Sequence, residues 1–154
     1  MKLAEALLVR GDLQSDINQL KVRLKKNAQT KEGGAPAENP RKLIEKVNAA
    51  AEELRVLIRR INKTNANTEL EPGQLLSEAL CDREALKIRH SAYNELAEAA
   101  TIHYGDSYRS EILLKLQSTV EVSDIRKEAH GIASAYRRLD HKIQAKNWQV
   151  DLLE

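Results

Sequence analysis

Apolar residues recur at alternating steps of three and four through most of this chain, and that period leaves few folds open to it. Leu3, Ala6, Leu13, Ile17, Leu20 and Leu24 lie on one such seam, interrupted at Arg10. A seam of this kind needs a second helix lying along it. A second segment supplies Leu43, Val47, Ala50, Leu54, Leu57 and Ile61, broadened by Ile44, Ala51 and Ile58. A third carries Leu76, Ala79, Leu80, Leu86, Tyr93, Ala97 and Ala100, with Arg83 and His90 breaking its apolar face. The fourth runs through Ile125, Ala129, Ile132, Tyr136, Leu139 and Ile143. Four long amphipathic helices follow.

The punctuation between them fits that reading. TKEGGAPAENP, residues 30–40, has no apolar period and forms a mobile loop, and Asn39 followed by Pro40 is a helix cap with proline at the first helical position. The second helix stops around Asn67, before the Pro72-Gly73 turn signal. Residues 103–122 lose the period, and Ser123, with Val122 as an outside staple, is the expected cap of the last helix. The fold class is therefore all-α: two tandem long helical hairpins in one domain over 1–154, four-helix bundle-like, with an irregular arm before the last helix. Hairpin one spans 1–67 and hairpin two 75–148, with the arm at 103–122.

The two hairpins are related. Leu3-x-Glu5-Ala-Leu-x-x-Arg10-x-x-Leu13 matches Leu76-x-Glu78-Ala-Leu-x-x-Arg83-x-x-Leu86 at an offset of 73 (76 − 3). Leu57-x-x-x-Ile61-Asn62-x-x-Asn65 matches Leu139-x-x-x-Ile143-Gln144-x-x-Asn147 at an offset of 82 (139 − 57). Both matches in the same order indicate an internal duplication. In an antiparallel hairpin the start of one helix lies level with the end of the next. Glu5 and Arg10 are thus expected beside Asn62 and Asn65, and Glu78 and Arg83 beside Gln144 and Asn147, all eight at one end of the bundle.

Two meanings fit such a set. A satisfied Glu/Arg/Asn network fixes register or an oligomer interface. Alternatively it holds a small ligand, and the two arginines then favour a small anion or acid over a cation. A metal site is not indicated, because no Glu has a His three residues later as paired carboxylate centres require. No nucleophile, base and orienting group stand together, so neither catalytic residues nor cofactors are assigned and the chain reads as a non-enzyme. His90 and His130 lie on the faces of the third and fourth helices, where a half-buried histidine bonded to a polar neighbour is the ordinary outcome. Cys81 reads as a packing residue. Arg59-Arg60 and Arg137-Arg138 read as solvated basic faces.

Charge and composition narrow the partners. With 31% charged residues and a net charge of +2, the surface is of mixed sign, and nucleic acid is not expected as a partner. Phenylalanine is absent, as in many long-helix sequences. No run reaches the roughly 18 apolar residues of a membrane span, and the first residues are too charged for a signal-peptide core, so a cytoplasmic location is expected.

The segments KLAEALL-x-R-x-DLQ, RRIN-x-TN, L-x-EAL, YRSEI and STVEV, in that order, with NW near the end, resemble the septicolysin-like group of uncharacterised bacterial helical proteins. The resemblance implies an all-helical subunit that assembles into a homo-oligomer, and the group's label implies a haemolysin-like, membrane-active alternative. A metal- or acid-binding enzyme using the bundle end is the other alternative. Tyr108, Arg109 and Glu111, in the arm, are the candidate contacts to a neighbouring subunit.

Overall fold

A computed structural model describes residues 1–101 and 117–154. The described residues form α1 (Leu3–Lys26), α2 (Pro40–Ala66), β1 (Glu69–Glu71), β2 (Gln74–Leu75), α3 (Leu76–Ala100) and α4 (Val122–Gln149). The all-α class holds, and all four helices start and stop within two residues of the expected limits. Most of the arm, including Tyr108, Arg109 and Glu111, lies outside the described residues.

The chain divides into two compact units, and the division does not fall between the hairpins. The first unit contains residues 1–77 together with 144–154, and the second contains residues 78–143. The last turns of α4 and the C-terminal tail therefore belong with the first hairpin.

In the first unit α1 packs along α2. Asn39 caps α2, its Oδ1 accepting from the Arg41 amide at 2.9 Å, with Pro40 at the first helical position. Two helices alone bury only a narrow stripe each, and the burial shows it. Leu13, Ile17, Leu20 and Leu24 on α1 are half-buried, whereas Leu3 and Ala6 at its start are fully buried. Leu57, Ile61 and Thr64 on α2 and Leu76 complete that end, so the unit's core sits where α1 begins and α2 finishes. Arg10 stands on the predicted seam but is exposed. Its long stem lets the guanidinium reach water from a two-helix groove.

The expected loop at 30–40 is fastened at its base. The Arg23 guanidinium binds the Glu38 carboxylate, its Nε donating at 2.9 Å. Asn27 spans the same gap, donating to the Arg23 carbonyl and accepting from the Glu38 amide, both at 2.9 Å. After α2, the Pro72-Gly73 signal makes a hairpin turn between β1 and β2. Gly73 takes φ +82°, the left-handed conformation that a turn with proline before it requires of glycine. The turn signal was readable; the five strand residues were too few to show a period of two.

In the second unit α3 and α4 run antiparallel and are pinned near both ends. Arg83 Nη1 donates to Asp140 Oδ1 at 2.7 Å, and Arg126 Nη2 donates to Thr101 Oγ1 at 3.2 Å. Ser123 is not the cap of α4. Glu121 fills that position: its carbonyl accepts from the Ile125 amide at 3.2 Å and its carboxylate from the Ser123 amide at 3.3 Å. An acidic side chain at a helix start also faces the positive end of the dipole.

Burial agrees with the two sequence matches at three pairs of positions. Leu3 and Leu76, Ala6 and Ala79, and Ile61 and Ile143 are each at most 1% exposed, and each pair is one that the sequence matches equate. Glu5 and Glu78 are equally alike in being exposed.

Candidate functional site

The eight polar residues expected to converge meet different fates. Glu5 turns back on its own helix, its Oε2 accepting from the Lys2 amide at 2.7 Å and so satisfying a donor at the start of α1. Arg10 and Asn62 are exposed and Asn65 is half-buried. In the second unit, Glu78 is exposed and the carboxylate on Arg83 comes from Asp140, one turn before Gln144 in α4. Gln144 is exposed, whereas Asn147 is only 4% exposed and is one of two buried polar side chains among the described residues.

The other is Thr64, which the sequence reading passed over. It lies in RINKTN between the two asparagines and continues the step from Leu57 to Ile61 by three more residues. That spacing was the available signal; a threonine on an apolar stripe simply reads as packing. Its hydroxyl donates to the Arg60 carbonyl at 2.8 Å and accepts from the Leu153 amide at 3.0 Å.

Around that hydroxyl the tail is tied on two sides. Toward α1, the Leu3 amide donates to the Val150 carbonyl and the Leu152 amide to the Met1 carbonyl, both at 2.9 Å. Lys2 Nζ adds an ion pair to Asp151 at 3.0 Å, and its donation holds the Asp151 carboxyl below the usual carboxylate range. Toward α2, Arg60 Nε donates to the Leu153 carbonyl at 3.0 Å and Lys63 Nζ to the Glu154 main-chain oxygen at 2.7 Å. Arg60 therefore has a defined partner and is more than a solvated charge.

Beside this tie lies a concavity of about 710 Å³, lined by Val56, Arg59, Arg60, Asn62, Lys63 and Glu154. Positions 56, 59, 60 and 63 follow the i, i+3, i+4, i+7 pattern of one helical face. The lining is thus a basic stripe of α2 closed on one side by the tail.

Elsewhere the chemistry is sparse. Among the described residues, no group of three or more His, Cys, Asp and Glu side chains is placed to hold a metal ion. Asn94 Nδ2 lies 3.1 Å from His90 Nε2, one turn along α3, so half-buried His90 has a local polar neighbour. His130 and His141 are exposed, as is the free thiol of Cys81. No described helix is long and apolar enough to cross a membrane.

No curated protein matches the chain. A solved structure does: a functionally unknown conserved protein from Corynebacterium diphtheriae, 38% identical over 99% of both chains with a TM-score of 0.89. At that identity and overlap the two share sequence and fold together. The sequence profile of a family of unknown function, DUF6847, matches residues 10–152, and the chain belongs to that family.

Proposed function

We propose that this is a cytoplasmic, non-enzymatic helical protein that assembles with copies of itself, in keeping with its resemblance to the septicolysin-like group, and that α1 carries the contact. The supporting observation is a second seam on α1. Glu5, Leu8, Asp12, Ser15, Gln19, Val22 and Lys26 follow steps of three and four, and every one of them is exposed. Leu8 is 62% and Val22 53% exposed although both are apolar. Isolated exposed leucines and valines are common on surfaces. Two of them fourteen residues apart share one helical face, with Ser15 at the midpoint.

A twofold axis at Ser15 would lay two α1 helices antiparallel, with Leu8 of one copy on Val22 of the other. It would also oppose Glu5 to Lys26, so acid meets base at both ends of the contact. Glu5 then keeps the assembly role expected of the polar set, while still capping its own helix. Neither a membrane-active role nor nucleic-acid binding has a comparable supporting observation among the described residues.

Sedimentation equilibrium over a wide concentration range tests the proposal. The wild type is expected to associate, and Leu8→Lys with Val22→Lys to sediment as a monomer with unchanged helicity, since neither side chain is buried. A wild-type protein that stays monomeric throughout rules assembly out; an oligomer indifferent to both substitutions rules out this face.

A further inference from the structure

We propose that the concavity on α2 is a binding site for a small oxyanion, a carboxylate or a phosphate, and this does not depend on the assembly reading. Three cations, Arg59, Arg60 and Lys63, line it against one side-chain carboxylate, that of Glu154. Two of the three are held in place. Arg60 spends its Nε, and Lys63 one of its protons, on the main-chain oxygens of residues 153 and 154. That leaves the terminal guanidinium nitrogens of Arg60 and the remaining ammonium protons of Lys63 with spare donor capacity. Fixed cationic donors suit an anion better than mobile ones, because less side-chain freedom is lost on binding.

Asn62 adds an amide and Val56, 45% exposed, an apolar wall. The volume falls within the range of about 300–1,000 Å³ common for small-molecule sites, so it admits an organic acid or phosphate ester as well as the bare ion. Two terms oppose the proposal: the Glu154 carboxylate in the lining, and the negative potential at the C-terminal end of α2, which finishes at Ala66. That potential fades within the last turn, and Arg59 and Arg60 stand before it. Three formal positive charges outweigh the Glu154 carboxylate and that partial charge together.

Glu154 gives the proposal an unusual test, because its carboxylate competes with the ligand while Arg59 attracts it. Inorganic phosphate and citrate are titrated separately into the full-length protein and followed by calorimetry and by amide shifts of residues 56–63. Saturable binding is expected with at least one of them, weakening as salt is added. The anion that binds more tightly identifies the preferred chemistry. Arg59→Ala, which touches none of the bonds that hold the tail, should weaken binding by about tenfold with thermal stability unchanged. Glu154→Gln should strengthen it several-fold. Absence of saturable binding by either anion overturns the proposal, as does binding that ignores both substitutions.

Discussion

Thr64 shows how one hydroxyl serves two segments that lie far apart in the chain. It sits at a position the helical period assigns to the core, and there it has no exposed surface. A valine would fit the same space. What valine lacks is the acceptor for the Leu153 amide, so Thr64→Val would leave that part-buried N–H without its partner. The cost of such a loss is about 1–3 kcal/mol. Thr64→Ser keeps the hydroxyl and gives up one methyl group, a loss of roughly 0.8 kcal/mol. Urea unfolding of the two variants should therefore rank valine as the more damaging. The reverse order would mean that the methyl group, and not the hydroxyl, matters at this position.

At the scale of elements, the loop between α1 and α2 depends on a titratable tie. The guanidinium of Arg23 donates to Glu38 and holds its carboxyl below the ordinary range. A carboxyl depressed on folding adds stability above its unfolded value, about 4.3, and that contribution disappears as pH falls through the lower folded value. Acidification from about pH 5 to pH 3 should accordingly lower the protection factors of the Asn27 and Glu38 amides, where the loop closes, once the intrinsic pH dependence of exchange is divided out, and in Glu38→Gln much of that loss should be missing. Equal pH dependence in both proteins would place the sensitive group elsewhere. The helices themselves were readable, because periods of three and four, the Asn39-Pro40 cap and the Pro72-Gly73 turn are local signals. The loop's fastening was not, since glycine and proline announce a loop without saying what its ends hold. The cap of α4 was misplaced by two residues because Ser123 is the commoner capping type and Glu121 the actual acceptor. For the candidate site, the sequence draws attention to Asn62 and Asn65 and not to Arg60, Lys63 and Thr64, the residues of α2 that hold the tail. Asparagines stand out against an apolar stripe; a threonine within it and cations outside it do not.

Across the whole molecule, the positions that the two sequence matches equate are alike at several apolar sites and differ where the tail is received. Leu3 and Leu76, Ala6 and Ala79, and Ile61 and Ile143 are equally buried, but Leu57 is buried where Leu139 is half-buried, and the position matching Thr64, which receives the tail, is Lys146. Residues 150–154 are too few to show a period, and their partners are Met1 to Leu3 and α2, roughly 90 to 150 positions away, so no local pattern could place them. Both ends of the chain thus close the first unit. Each of these segments is only a few residues long, so single substitutions make the closure measurable. Leu152 is 8% exposed and Leu153 39%, although they are neighbours. If the tail is an integral part of the first unit, Leu152→Ala should cost about 2–4 kcal/mol, as in an interior site, whereas Leu153→Ala should stay within about 1 kcal/mol because most of its bonding is through the main chain. Urea denaturation of the two variants side by side decides it: equal, small effects would mean that the tail rests on the first unit without stabilising it.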